Sequence, residues 1–238
     1  MYDEKQPERA IVIPKGKGVV WFENFWYHYK WITIAALVGL FILLVCILQT
    51  CGNEKTDLVV VYAGPTYLTA EQSGEISTLL SGRLPEDFDN NGEKLAALAP
   101  YQILSESQIK ALPNDRVDRG YNTSQYSTYS NYIQTGETSI YLLDPWLYVE
   151  LKSGDRLRPL SEVTDVIPSG AIDEYGVRLG DTDLYKKYAV LQVLPEDTVI
   201  CLMRQYVVGK SRKDEFYKFQ VDTFLDLIKT TKDFSAEP

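Results

Sequence analysis

The strongest apolar run in the chain, Ile32 to Leu48, reads ITIAALVGLFILLVCIL, seventeen residues with no charge and with Thr33 as the one polar side chain. A stretch this apolar needs burial on every side, and its length reaches the lower end of what crosses a bilayer. It predicts a transmembrane helix over 32–48, with Lys30 and Trp31 before it and the polar Gln49 to Asn53 after it. Immediately upstream, residues 19–31 read VVWFENFWYHYKW and hold seven Trp, Phe and Tyr. Phe22, Phe25, Trp26 and Tyr29 recur at helical spacing. This predicts an interfacial aromatic segment that lies along the inner headgroup layer before the chain turns into the membrane. An aromatic partner-binding box is the alternative for these residues, but anchoring already accounts for them.

Beyond a linker at 49–57 the pattern changes to alternating short runs. Leu58-Val59-Val60-Val61-Tyr62-Ala63 is continuous, apolar and β-branched, and Gly64-Pro65 ends it, so it predicts a buried central strand. Thr69 or Thr66 can cap a helix through about Leu80 that stops near Gly82. Pro85 to Gly92 reads as a loop, Lys94 to Leu104 as a second strand, and Tyr121 to Tyr132 as the approach to a helix ending at Gly136. Thr138 to Leu143 predicts a third strand closed by Asp144-Pro145, and Trp146 to Lys152 a short helix stopped by Gly154. The stretch after Leu160 is less regular. Thr198 to Val208 supplies a late strand, and Phe216 to Ile228 an amphipathic helix with Phe216, Phe219, Phe224, Leu225 and Ile228 inward. Strand alternating with helix predicts an α/β domain over 58–238 with a largely parallel sheet.

Charge sets the orientation and removes one class of partner. Residues 52–238 carry 19 Lys and Arg against 29 Asp and Glu, which argues against nucleic acid, whose phosphates need basic surface. Lys15, Lys17 and Lys30 precede the apolar run, whereas Lys55 alone follows it at comparable distance. The positive-inside rule then places a tail at 1–18 in the cytoplasm and the α/β domain outside, in a single-pass membrane protein. A cleaved signal peptide would show small residues before the cut, and none stand there. Leu48-Gln49-Thr50-Cys51 is a poor match to the lipidation motif that acylates a Cys, leaving an uncleaved anchor as the stronger reading.

The run Gly136-Glu137-Thr138-Ser139-Ile140-Tyr141-Leu142-Leu143-Asp144, followed by Gly154 and Leu157-Arg158-Pro159-Leu160, resembles a signature of type 2 extracellular solute-binding proteins. The strand ending at Gly64 and the helix Phe216 to Ile228 are similar to the first strand and a late helix of one lobe of that family. The chain as a whole resembles uncharacterised single-pass membrane proteins of Gram-positive bacteria that join an aromatic-Lys-Trp approach and one helix to such a lobe. The resemblance implies a single α/β lobe that binds a small solute or a membrane-protein partner, because 187 residues leave no room for a second lobe. By analogy with open α/β sheets, the ligand would sit beyond the carboxyl ends of the strands. That points to Gly64, Pro65, Thr66 and Tyr67 after the first strand, and to Asp144, Pro145 and Trp146 after the third. The bland alternative is that these residues only turn the chain.

Candidate chemistry is sparse. The one histidine, His28, precedes the apolar run, so residues 52–238 offer neither Ser-His-Asp nor Cys-His catalysis, nor histidine-ligated zinc. Cys201, inside Val199-Ile200-Cys201-Leu202, reads as a buried small hydrophobe. Ser107-Gln108-Ile109-Lys110 matches S-x-x-K, and Tyr129-Ser130-Asn131 resembles a second motif of penicillin-recognising enzymes. No K-T-G follows, so the match reads as chance. Acidic residues are many, but no spacing singles out a glycosidase pair.

Asp87-Phe88-Asp89-Asn90-Asn91-Gly92 fits the first half of an EF-hand calcium loop, with Asp87, Asp89 and Asn91 as candidate ligands. Leu98 stands where the closing Glu belongs, so a calcium site would have to borrow a ligand, and a polar turn is the plainer reading. Tyr121, Tyr126, Tyr129 and Tyr132 lie among Asn, Ser, Thr and Gln, which suits stacking on sugars or a partner surface, or packing in the core. Together these patterns predict a membrane-anchored, extracytoplasmic, non-catalytic binding or interaction module of the cell envelope without a cofactor. A structural accessory subunit of a membrane complex is the alternative, and a carboxylate-based hydrolase a distant third.

Overall fold

A computed structural model describes residues 16–51, 56–113, 117–205 and 212–229. The expected cytoplasmic tail therefore falls outside the described residues up to position 15, as do linker residues 52–55 and the last part of the expected strand after 205. The chain divides into two compact units, an N-terminal helix and the α/β domain that follows it.

The first unit is one helix, α1 (Lys17–Cys51), of 35 residues. At 1.5 Å per residue it is about 52 Å long, well beyond the roughly 30 Å of a bilayer's hydrocarbon core. Its segment Trp21–Cys46, whose most apolar 18-residue window has a mean hydropathy of 2.2, is long and apolar enough to cross a membrane. The expected turn between the aromatic segment and the apolar run is absent. Residues 19–31 contain neither Gly nor Pro to break the helix. Rings four residues apart also stack along it, Trp21 on Phe25 at 5.6 Å, Phe25 on Tyr29 at 5.4 Å and Phe22 on Trp26 at 6.1 Å. Such i,i+4 contacts favour continuing the helix, so the aromatic segment and the apolar run form one rod.

The second unit is built on β1 (Leu58–Gly64), β2 (Ala96–Gln102), β3 (Ile140–Leu143), β4 (Gly176–Arg178) and β5 (Val199–Leu202). They form one sheet in the order β2-β1-β3-β5-β4. β1 pairs parallel with β2 and with β3, whereas β5 pairs antiparallel with both β3 and β4. Four strands thus point one way and β5 opposes them, which makes the sheet mostly parallel as expected.

Alternate side chains of each strand enter two cores. Val60, Tyr62, Ile140, Leu142, Ile200 and Leu202 face one side, covered by Ile76 and Leu80 of α2 (Ala70–Ser81) and by Phe219 and Phe224 of a C-terminal helix, Arg212–Leu227. Val61, Ala63, Tyr141, Leu143, Val199 and Cys201 face the other. There the covering residues are Tyr129 and Ile133 of a helix over Arg119–Thr135 and Leu147 and Leu151 of a helix over Pro145–Ser153. Each fully buried aliphatic or aromatic side chain contributes about 1.5–3 kcal/mol, so a strand buried on both faces can be apolar throughout. Cys201 is fully buried, as expected of a small hydrophobe, and burial pushes its thiol above the ordinary range.

Several elements escape the sequence pattern. A helix α3 (Glu106–Ala111) precedes α4 (Arg119–Thr135) and α5 (Pro145–Ser153). It covers the S-x-x-K match, and Ser105 and Gln108 form a capping box, each side chain accepting the other's backbone N–H. Ser107 and Lys110 are exposed within this helix and take no part in its capping box. β4, α6 (Asp183–Lys187) and three short 3-10 turns occupy the irregular stretch between Leu160 and Val193 and lead, through β5, to α7 (Arg212–Leu227). β4 has three residues and α6 five, too short for any hydrophobic period to show.

Asp173 fastens that irregular stretch to α5. Its carboxylate accepts hydrogen bonds from the Tyr148 hydroxyl, from the backbone N–H of Tyr175 at 2.8 Å and Gly176 at 3.1 Å, and from Lys152 Nζ at 2.7 Å. Burial works to raise its pKa, but Lys152, Tyr148 and the Tyr175 amide outweigh it and hold the carboxyl below the usual range. A folded-state pKa below the unfolded value of about 3.9 adds stability above that pH, and this is lost as pH falls through the folded value. The melting temperature should therefore fall below about pH 4, and Asp173→Asn should cost about 1 kcal/mol at pH 7 while flattening that acid limb. Calorimetry of both chains between pH 7 and pH 3 checks this, and an unchanged acid limb in the variant would remove Asp173 from the account.

Candidate functional site

The strand order creates a crevice. From β1 the chain passes through α2 on one face to β2, and it returns through α4 on the opposite face to β3, on the other side of β1. Connections that leave neighbouring parallel strands in opposite directions part beyond the strands' carboxyl ends, where open α/β sheets bind ligands. The residues at that point are Gly64, Pro65, Thr66 and Tyr67 after β1 and Asp144 after β3, the positions expected from sequence. They lie side by side, because the Asp144 N–H donates to Ala63 O at 2.9 Å.

Each is held differently. Gly64 is forced by close packing. A Cβ there would lie 2.7 Å from Tyr62 Oη, and the fully buried Tyr62 ring has nowhere to swing. The Thr66 N–H donates to the Tyr62 hydroxyl at 3.2 Å, Gln102 Nε2 donates to Pro65 O at 3.2 Å, and Tyr67 stands exposed. Asp144 caps α5, its Oδ1 accepting the Trp146 N–H at 3.1 Å while its Oδ2 accepts Gln108 Nε2 at 3.0 Å. Pro145 occupies the first turn of α5, where its missing N–H costs nothing. The Trp146 ring turns onto the helical layer and stacks on Tyr126 at 6.4 Å and 12°.

Burial first, then the charges of Asp144 and Asp197, raise the Tyr62 hydroxyl above its ordinary range, although its hydrogen bonds with Thr66 pull the other way. β5 runs antiparallel to β3 with Val199 opposite Leu143, so Asp197, just before β5, lies at the same end of the sheet as Asp144. Asp197, Gln102 and Gln108 escape sequence reasoning. Only the pairing of β5 beside β3 brings residue 197 near residue 62, and both glutamines sit in segments with no motif. Two carboxylates and two amides make a polar rim that can hydrogen-bond a neutral or cationic group. No imidazole or thiol stands among the residues named at this rim.

The candidate cation loop lies elsewhere. The residues Asp87 and Asp89 meet Asp57, from the approach to β1, with carboxylate oxygens within 4.8 Å of one another. Asp57 is buried, its Oδ1 accepting from the N–H groups of Phe88 and Asp89 and its Oδ2 from that of Leu95. Gly92, at φ 97°, donates its N–H to Asp87 Oδ2 at 2.7 Å, and this bond holds the Asp87 carboxyl below its usual range. Asn91 Nδ2 donates to Asp89 Oδ2 and Asn91 Oδ1 accepts from Glu93 N–H, so the Asn91 side chain closes the turn. Leu98 lies in β2 and is buried, away from any ligand role. Asp57 stands in its place, a third carboxylate that no local spacing could reveal. Asp87 Oδ1 is buried with no hydrogen-bond partner among the described residues. Three carboxylates with an unpaired oxygen suit a hard cation such as calcium.

Of the tyrosines, Tyr129 is buried, Tyr126 and Tyr132 are half-buried and Tyr121 is exposed. Comparisons of the chain with protein-family models, with curated proteins and with solved structures find no match.

Two outcomes are expected. Gly64→Ala should destabilise the domain by about 1–3 kcal/mol through overpacking against Tyr62, read as a lower urea midpoint at unchanged slope. If the Asp57, Asp87 and Asp89 cluster takes calcium, a concentration ten times the dissociation constant should add about 1.4 kcal/mol of stability. Chelator should reverse the gain and Asp89→Asn should abolish it. A melting temperature indifferent to both calcium and chelator would leave the loop as a polar turn.

Proposed function

We propose that this chain is a membrane-anchored, extracytoplasmic binding module of the cell envelope that recognises a small solute or partner group at the crevice beyond β1 and β3. It acts by binding and not by catalysis. The observation that carries this reading is the meeting of Gly64–Tyr67 and Asp144 at the point where the connections of a mostly parallel sheet diverge. The single-pass topology, with the N-terminus in the cytoplasm, rests on the exposed apolar flank of α1 and on Lys15, Lys17 and Lys30 before it. The mixed α/β layering agrees with the resemblance to one lobe of a type 2 solute-binding protein. The rim carboxylates Asp144 and Asp197 favour a neutral or cationic solute over an anion, since an anion would meet both charges at short range.

A second reading, a structural accessory subunit of a membrane complex, draws on α1 itself. Its side chains from Trp21 to Leu44 are exposed along the rod, with three stacked ring pairs at one end, a surface that can pack on other membrane helices. Association that survives deletion of the α/β domain would favour this reading.

The crevice is tested by thermal shift of the full chain in detergent micelles against sugars, amino acids, cations and short peptides. A ligand at a hundred times its dissociation constant should add about 2.7 kcal/mol, several degrees in melting temperature. Asp144→Asn keeps the cap on the Trp146 N–H but removes the charge and the acceptor for Gln108, so it should abolish a crevice-bound shift while costing the unliganded domain about 1 kcal/mol. A shift that survives Asp144→Asn unchanged places the ligand elsewhere.

A further inference from the structure

The face of the sheet covered by α4 and α5 holds a feature separate from the crevice. α4 is rich in Tyr, Ser, Thr and Asn, and Tyr129 and Ile133 are its buried residues. Between it and α5 lies a half-open pocket of about 180 Å³ that no described side chain fills, rimmed by the exposed Gln134, Glu150 and Gly154. Tyr129, Ile133, Leu147 and Leu151 line its apolar part.

Two opposite charges share its wall without neutralising each other. Arg156 contributes a guanidinium whose Nη1 is buried and has no hydrogen-bond partner among the described residues. Its neighbours are paired, Arg158 with Glu162 at 3.4 Å and Arg204 with Asp155 at 3.8 Å, but among the described residues Arg156 makes no ion pair. Glu150 also lines the cavity, and its Oε1 accepts the Tyr126 hydroxyl. That hydrogen bond, with burial, pushes the Tyr126 hydroxyl up to about 12, so it stays a donor and fixes the carboxylate. A buried charged donor left unpaired is among the costlier features a fold can keep.

We propose that the cavity between α4 and α5 is a binding site for a small zwitterion, an α-amino acid with a short apolar side chain. The Arg156 guanidinium takes its carboxylate, Glu150 takes its ammonium, and the side chain lies on Ile133, Leu147 and Leu151. A simple anion would meet Glu150 and a simple amine would meet Arg156. A molecule carrying both charges satisfies both walls with charge-assisted hydrogen bonds. Because the site lies between two helices on one face of the sheet, it is independent of the crevice at the strand ends.

The test is isothermal titration of the full chain in detergent micelles with valine, isobutyrate and isobutylamine. Saturable binding of valine is expected, with each single-charge analogue weaker by about tenfold or more, the loss of one charge-assisted contact. Arg156→Gln and Glu150→Gln should each weaken valine by a similar factor. Ser130→Phe fills the cavity from the α4 side without touching either charge, so it should remove binding and keeps the test open if the Arg156 variant does not fold. No saturable valine binding, meaning that water alone occupies the space, overturns the proposal. So does valine binding of wild-type strength in Arg156→Gln or Ser130→Phe.

Discussion

The domain depends on the burial of β1 from both sides. Leu58, Val60, Val61, Tyr62 and Ala63 are at most 1% exposed, and their side chains alternate between the two cores. A strand buried on both faces must lie inside the sheet and must have helices above and below it. It therefore sits between β2 and β3, and the crossovers that lead to those neighbours take opposite faces. The crevice at the carboxyl ends is a geometric result of that arrangement, in the same way that the two carboxylates at its rim result from which segments end there.

The ends of β1 show how the sheet is tied to what surrounds it. At its start, Asp57 gathers the N–H groups of Phe88, Asp89 and Leu95, which fixes the loop before β2. In its middle, the Thr138 hydroxyl donates to Val59 O and so joins the approach to β3. At its far end, Ala63 O and Gly64 O accept from Asp144 and Ile103, carrying the pairing past the strands into the crevice. Buried backbone and carboxylate groups need partners, and here the partners come from segments distant in sequence. These bonds make the candidate ligand residues part of the framework and not of a mobile loop.

The α4 side has the opposite character. A helix of hydroxyl and amide side chains covers a hydrophobic sheet with two buried residues, and unpaired polar atoms collect beneath it. Tyr141 Oη, Trp146 Nε1 and Arg156 Nη1 are all buried without partners among the described residues, on that one face. The α2 side, by contrast, is closed by Phe88, Phe216 and Phe219 with ring centroids 5.0 to 6.2 Å apart. One face of this sheet is sealed by aromatic packing, and the other keeps space and unsatisfied polarity.

Sequence alone determined those features whose cause is local. The apolar rod 32–48, the strands at Leu58 and Thr138, the cap Thr69, the strand end at Asp144-Pro145 and the stop at Gly136 each follow from hydrophobic period, capping chemistry or turn residues. They set Gly64 to Tyr67 after β1 and Asp144 after β3 at the strand ends, and they gave no sign that the Trp146 ring would stack on Tyr126. What depended on segments meeting in space stayed hidden. The continuity of α1 across residue 31 turned on ring stacking, and the three-residue β4 exists only because β5 runs antiparallel beside it. Asp57 reached Asp87 across thirty residues, strand pairing set Asp197 at the end of the sheet that holds Asp144, and Arg156 came to share a pocket with Glu150. Tertiary structure decided these because a side chain's partner across the fold is set by packing of the whole sheet, a quantity no window of neighbouring residues contains.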